Sequence, residues 1–420
     1  MYDLANQSFQ LLINTLLFPL FVTSVVVSSK EHGDTAWFMM SATSLGLVVL
    51  LSPVLGAMAD QRAWKRELLI ATGLICSVLT FTLGFLQSGQ LPIAFVIYLT
   101  AAVACGLGEN FLGSFLPEIS TPRNVGRVSA IGWTMSYVGA LVLLGLTAVY
   151  TIVLDRKEPA EMRPMLCFAG VWFGVGMLPA VFWLREKATP SPTPAATIVT
   201  GAFLRLAASA RESARYRHLA RFFFAFAVYS AGTMIMIYGL GVIGNRLGFD
   251  LGQLILMAVI IAVTAGASAA AAGRVQDSFG HTRTISVFLG LWVFASLAMA
   301  AAEFISPPPA VYWGLSCVIG TALGGIGTSS RAIVGAFTPP HRAGEFFGLW
   351  GMIYKGSGMI GVALFGLISK VAGQPIALIV VAGMFGLGWL LLFRVDESEG
   401  IRAATEDAAT DHIPSGSGHE

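Results

Sequence analysis

Asp3, Gln7, Gln10 and Asn14 stand four, three and four residues apart, a spacing that aligns them along one stripe of a helix. With Asn6 and Ser8 beside them, they interrupt a segment, MYDLANQSFQLLINTLLFPLF, that is otherwise apolar enough to enter a membrane. A polar group in hydrocarbon costs free energy unless it has a partner, so such a stripe should face water or another helix. Glu109, with Asn110 next to it, and Lys355 raise the same question, because they too fall inside long apolar stretches. A carboxylate can take and release a proton, an ammonium can hold a carboxylate, and amides can donate to and accept from a small polar solute. These types make Asn6, Gln7, Gln10, Asn14, Asn110 and Lys355 candidates for substrate binding, together with Tyr229 and Thr233, which lie four apart in another apolar stretch. Glu109 and Asp3 are the candidates for proton coupling. A plainer assignment stands beside each: interhelical hydrogen bonds for Asn14, a fixed ion pair for Lys355, a helix-end position for Glu109.

Other chemistries are disfavoured. No GxxxxGK[ST], HExxH or GxSxG occurs, and the GxGxxG formed by Gly356, Gly358 and Gly361 lacks the preceding strand and following acid of a nucleotide site. Cys76, Cys105, Cys167 and Cys317 all fall within apolar stretches without CxxC spacing, so they are expected as packing residues, with no disulfide framework or metal site. No catalytic residues and no cofactor are assigned.

The elements that must position these groups follow from composition. Of 420 residues, 55% are hydrophobic and 11% charged, with a mean hydropathy of +0.75; a soluble domain carries about 25% charged residues. Twelve stretches are long enough to cross a core of about 30 Å: residues 4–27, 36–58, 67–87, 91–115, 128–152 and 165–184, then 217–243, 251–272, 284–304, 310–331, 346–369 and 374–394. The first lacks the basic lead and small-residue cleavage site of a signal peptide, so it is expected to remain in the mature chain. The fold class predicted is an all-α membrane protein of twelve transmembrane helices. Of the 25 Lys and Arg, Lys355 lies deep within a span; 18 of the rest fall in loops and span ends on the side of the termini and six on the other, which predicts cytoplasmic termini. The net charge of +2 gives no reason to propose a nucleic-acid partner.

Residues 1–184 and 217–395 then form two six-helix bundles, joined by a linker over 185–216 that contains TPSPTPAAT, which cannot continue a helix. In the linker, GAFLRLAASARESARYRHLARF suits either a helix lying on the membrane surface or a solvated basic segment. Residues 396–420 are acidic, lack a periodic apolar face and are expected to be disordered. GAMADQRAWKR after the second span is echoed by GRVQDSFGHTR after the eighth, so Gly56 and Asp60 match Gly273 and Asp277. Each Asp is expected at the start of the next helix, near the positive end of its dipole. Asp60, Arg62, Lys65, Arg66, Glu118 and Arg127, with Asp277, Arg283, Arg331 and Glu345, are the candidates for a cytoplasmic charge gate. Glycines 320, 324, 325 and 327 and the run 348, 351, 356, 358 and 361 are expected to allow close helix approach.

The repeated loop resembles that between helices 2 and 3 of the major facilitator superfamily, although Ala63 stands where its second Gly is usual; Gly280 keeps it in the second copy. YDLANQSF, ENFLGSFLPEIS, VSAIGWTMSYVGA and SSRAIVGAFTPPHRAGEFFGLWGMIYKGSG resemble the vacuolar-effluxer-like branch, across nearly the whole chain. The fifth span has no Pro and so lacks the Gly-Pro signature of many drug–proton antiporters. The resemblance implies two pseudo-symmetric bundles rocking around a central site, and amino-acid-like efflux. The expectation is a proton-coupled secondary transporter for a small polar or zwitterionic solute, embedded in lipid as a monomer, in the plasma membrane if bacterial. A drug or metabolite exporter of the same fold, or a non-transporting receptor or scaffold, are the alternatives; the short loops disfavour the last.

Overall fold

The computed structural model describes residues 1–27, 30–115, 125–156, 158–186, 215–305, 307–339 and 343–411 and isolated positions over 201–213, without the side chains of 30–31, 60, 125–134, 137, 277, 309, 343–344 and 408–411. The first half holds α1 (Tyr2–Val26), α2 (Lys30–Arg62), α3 (Lys65–Leu83), α4 (Leu91–Ser114), α5 (Val125–Ala148) and α6 (Arg163–Trp183). The second holds α7 (Arg217–Arg246), α8 (Leu251–Phe279), α9 (His281–Ile305), α10 (Pro309–Ala336), α11 (Ala343–Ala372) and α12 (Gln374–Leu392). Eleven of these, among the described residues, are long and apolar enough to cross a membrane, and Val138–Val153 supplies the apolar part of the remaining one. Side chains such as Val96, Phe224 and Phe294 stay more than half exposed, as a helix surrounded by lipid presents them.

Successive helices run antiparallel, so odd-numbered helices start on the face that carries Met1 (the near face) and even-numbered helices start on the far face. Arg66, at the start of α3, donates to the carbonyls of Leu184 (2.8 Å) and Val181 (2.6 Å) at the near end of α6. Arg163, at the far end of α6, donates to the carbonyls of Gly84 (3.0 Å) and Leu86 (2.5 Å). These bonds satisfy carbonyls that helix ends leave without intrahelical donors. Each half packs on its own core: Phe9, Phe18, Trp37 and Tyr98 in the first, and Trp292 stacked on Phe385 at 5.0 Å in the second. Contacts between the halves are made by α2 with α11, α5 with α8 and α1 with α7.

α1 departs from a regular helix, passing through π-helical turns over Ser8–Leu16 and Val22–Val26. Pro19 lies between them and cannot donate to the carbonyl four residues back, which is that of Thr15. The Thr15 and Leu16 carbonyls lie only 3.0 Å from where a methyl group on Gly241 of α7 would sit, so a glycine there lets the two halves meet a few tenths of an ångström closer than a side chain would allow.

Two expectations are corrected. Asp60 and Asp277 belong to the last turns of α2 and α8, not to the starts of α3 and α9, because the chain reverses only after them, at Ala63 (φ 53°) and Gly280 (φ 96°). The segment after residue 396 is not disordered at its beginning. It forms α13 (Glu397–Asp411), fastened to the second half by its acidic side chains. Glu397 accepts from the backbone N–H groups of His281 (2.9 Å) and Thr282 (3.0 Å), capping α9. His218 accepts at Nδ1 from the Asp396 N–H (2.8 Å), so its Nε2 carries the hydrogen that meets Glu399 at 2.7 Å.

Candidate functional site

The polar stripe of α1 turns inward against α4. Glu109 Oε1 accepts from Asn6 Nδ2 at 2.6 Å and from Gln10 Nε2 at 2.8 Å. Its other oxygen lies 3.5 Å from Lys355 Nζ, which reaches across from α11 and also donates to the Gly106 carbonyl (3.2 Å) and Asn110 Oδ1 (3.3 Å). Asn110 in turn donates to Ser52 Oγ of α2 at 2.7 Å. Asn14 extends the cluster towards the far face. Its Nδ2 donates to Gln10 Oε1 at 2.8 Å, its Oδ1 accepts from Tyr98 OH at 3.1 Å, and Tyr238 OH of α7 stands 3.5 Å away. The structure thus gathers Asn6, Gln10, Asn14, Glu109, Asn110 and Lys355 into one network drawn from both halves.

The network sits at the floor of a cleft open to the near face. Between α2 and α11, contacts run from Phe38–Phe365 (ring centroids 5.0 Å apart) to Gly46 against Met359. Beyond them, methyl groups added to Gly56 of α2 or Gly351 and Gly356 of α11 would meet nothing within 4 Å. Glu109 and Lys355 retain 33% and 19% of their side-chain exposure, so solvent reaches both charges. At the far face the halves are shut: Asp34 of α2 pairs with Arg246 of α7, and the Trp37 indole donates to the Tyr238 carbonyl at 2.9 Å.

Other expected residues lie elsewhere. Tyr229 hydrogen-bonds Ser330 of α10 at 2.7 Å and Thr233 bonds the Tyr229 carbonyl at 3.3 Å, both buried inside the second half. Gln7 makes no hydrogen bond to the network among the described residues, and Asp3 stands in the first turn of α1 at the near face. Of the charge gate, Glu118 and the side chains of Asp60, Arg127 and Asp277 lie outside the described residues. Arg66 ties α3 to α6 within one half, and Arg331 lies 6.0 Å over the Phe347 ring within the other. Arg62, Lys65 and Glu345 have partners of their own, and Arg283 lies beside Glu397 at the capped end of α9. The charge pair that closes a face in this conformation, Asp34 with Arg246, was absent from the sequence expectations, and Cys105 was expected only as a packing residue. Its thiol sits 2.9 Å from Asn6 Oδ1, so it belongs to the network and is more than a packing residue.

Among glycines expected to allow close approach, the row divides by face. A methyl on Gly324 of α10 would collide with the Ala265 carbonyl of α8, and one on Gly361 of α11 would lie 2.8 Å from the Ala231 carbonyl of α7. Gly327, Gly348, Gly351 and Gly356 have open space there instead.

Two six-helix halves, shut at one face and parted at the other around a buried-to-solvent polar floor, define a multi-pass membrane transporter of the major facilitator fold. Solved structures of that fold superpose on nearly the whole chain. A nucleoside transporter, NupG, has a TM-score of 0.69 at 14% identity, covering 94% of this chain and 98% of its own. A D-xylose–proton symporter has a TM-score of 0.71 at 15% identity, covering 95% and 97%. The family model described as "Vacuole effluxer Atg22 like" matches residues 23–405, and the chain belongs to that family. It is 23% identical over 410 residues to an uncharacterised MFS-type transporter, YxiO, of Bacillus subtilis, covering 94% of each chain. It is 26% identical over 336 residues to autophagy-related protein 22-1 of Aspergillus fumigatus, covering 72% of this chain and 54% of that protein, about half its length.

Proposed function

We propose that this transporter exports a small zwitterionic, amino-acid-like solute and that Glu109 exchanges a proton during the cycle. The reading is carried by one observation: opposite charges from the two halves, Glu109 and Lys355, meet 3.5 Å apart on the floor of the cleft, surrounded by amide side chains. An α-carboxylate suits Lys355 and Asn110, and an α-ammonium suits Glu109, so one zwitterion can replace the ion pair without leaving either charge unmatched. Asp3, Asn6, Gln7, Gln10 and Asn14 make the α1 wall, and Tyr229 and Thr233 support the opposite one from within the second half. Because the pair joins the halves directly, its occupancy biases which face is open.

The near face is taken as cytoplasmic, following the excess of Lys and Arg in its loops, with a bacterial chain residing in the plasma membrane as a monomer. When that face closes, Asp60, Arg62, Lys65, Arg66, Glu118 and Arg127 approach Asp277, Arg283, Arg331 and Glu345. The effluxer description of the family supports outward movement.

Proteoliposomes loaded with radiolabelled amino acids test this directly. Flux that depends on an imposed pH gradient, and loses that dependence in Glu109→Gln, is the expected result. Amino-acid flux unaffected by Glu109→Gln would remove the proton role. Binding of nucleosides, sugars or lipophilic drugs but no amino acid, in a thermal-shift screen, would replace the substrate class.

A further inference from the structure

The network around Asn14 contains a chain of groups whose donor and acceptor directions are all set from one end. A carboxylate only accepts, so an ionised Glu109 forces the amide of Gln10 to present its NH2 group, as found at 2.8 Å. Gln10 Oε1 then faces Asn14 and must be given a hydrogen, which comes from Asn14 Nδ2 at 2.8 Å. That leaves Asn14 Oδ1 to accept from Tyr98 OH at 3.1 Å. Asn6 obeys the same rule on the other side: its NH2 meets Glu109, and its oxygen accepts from the Cys105 thiol at 2.9 Å.

A Glu109 protonated on Oε1 lifts that requirement and gains a donor, so the opposite direction becomes available. Its new O–H donates to Gln10 Oε1, the Gln10 amide turns over, its NH2 meets Asn14 Oδ1, and Asn14 turns in the same way to donate to Tyr98. The hydroxyl at the end can accommodate either direction, because a phenol donates or accepts. In the reversed state the Tyr98 hydrogen needs a new acceptor. Ser41 Oγ of α2 stands 3.4 Å away, with Ser44 beside it. Tyr238, 3.5 Å from Asn14 Nδ2, likewise takes a hydrogen in one state and gives one in the other. Asn14 and Tyr98 are buried, at 3% and 0% exposure, so water offers them no substitute partner.

We propose that Gln10 and Asn14 form a two-way amide relay through which the proton occupancy of Glu109 sets hydrogen-bond direction at Tyr98 and Tyr238. This rests on Glu109 changing protonation during transport. No proton travels along the relay: one enters Glu109 from the open cleft, and the amides only rotate. Tyr98, Tyr238, Ser41 and Ser44 are positioning residues in this scheme. They lie where closure of the far face is made, since the Trp37 ring packs on Tyr98 at 5.1 Å and its indole donates to the Tyr238 carbonyl at 2.9 Å. A charge change at the floor of the cleft therefore alters bonding between α2, α4 and α7 at the far seam. The other ionisable groups facing Glu109 among the described residues are Lys355 and Tyr354 of α11, Asp3 and Tyr2 of α1, Cys105 of α4 and Tyr238 of α7.

Infrared difference spectra of the purified full chain, taken from about pH 5 to about pH 9 without substrate, read the relay. The protonated-carboxyl band that disappears in Glu109→Gln belongs to Glu109, and its midpoint is followed in variants. Combined Ser41→Ala and Ser44→Ala removes the acceptors that the Tyr98 hydrogen uses in the protonated state, so the midpoint is expected to move to lower pH by about 0.5–1 unit, the shift equivalent to one net hydrogen bond. Threonine at both positions should restore it, and Thr43→Ala, on the same helix with its hydroxyl bonded to the Met39 carbonyl, should leave it unchanged. A Glu109 band whose midpoint ignores the serine pair overturns the relay while leaving the proton reading intact. Absence of any band lost in Glu109→Gln overturns both.

Discussion

Breaking the bond between Glu109 and Lys355 is the most direct perturbation of the site. At 3.5 Å, two unit charges interact by about 5 kcal/mol at an effective dielectric constant of about 20, which is an upper bound for a pair near water. The Glu109 side chain is 33% exposed, and exposed pairs are worth at most about 1 kcal/mol, so solvent screening reduces the coupling to about 1–3 kcal/mol. Removing one partner costs more than the coupling, because the other is left half-buried: Lys355→Met leaves Glu109 only its Asn6 and Gln10 donors. The assay is a double-mutant cycle on chemical unfolding in detergent, comparing Lys355→Met, Glu109→Gln and the two together. The double variant is expected to be less destabilised than the sum of the singles by about 1–3 kcal/mol. Additivity to within about 0.5 kcal/mol, the usual result for independent sites, would refute a direct pair in the open-cleft state.

Four further outcomes follow from local geometry. Ala63 holds a left-handed backbone (φ 53°), so Ala63→Gly should raise the thermal unfolding temperature, by relief of about 1 kcal/mol, and Ala63→Val should lower it. Gly324→Ala should destabilise by about 1–3 kcal/mol as its methyl meets the Ala265 carbonyl, while Gly351→Ala, with open space there, should leave unfolding unchanged. Glu397→Ala removes the cap on α9 and should cost about 1–2 kcal/mol by denaturant titration, with Glu397→Gln recovering part. Arg246→Ala should open the far seam, so that a cysteine introduced at Trp37 reacts faster with a membrane-impermeant maleimide applied to that face.

What could be read in the sequence divides by the range of the interaction. The twelve spans were legible because length and apolarity are properties of single segments, and the α1 stripe because helical spacing fixes which residues share a face. The convergence of Asn6, Gln10 and Asn14 on Glu109 required α1 and α4 to be adjacent, over about a hundred residues of intervening chain, and no local pattern carries that. Tyr229 and Thr233 share the α1 stripe's spacing, yet they bond within the second half, because a helix in a bundle has two polar-tolerant directions and spacing alone does not choose between them. The tail misled for a related reason. Its helix has almost no apolar face of its own, and its order comes from Glu397 and Glu399 meeting α9 and α7.

The far-face closure shows how much depends on sequence features that look like defects. Pro19 withholds one hydrogen bond from α1, the one its N–H would have given the Thr15 carbonyl, in a helix whose regular turn has already widened. Gly241 lets α7 reach that carbonyl and its neighbour, which brings Tyr238, less than a turn away, to the Trp37 indole and to Asn14. A bulkier residue at 241 would push α7 off α1 by a few tenths of an ångström, and the Asn14–Tyr238 bond, already 3.5 Å long, lies at the distance where such a shift breaks it. The same close contact that shuts this face therefore also sets the reach of the site's outermost amide, so closure and site geometry in this conformation are one constraint rather than two.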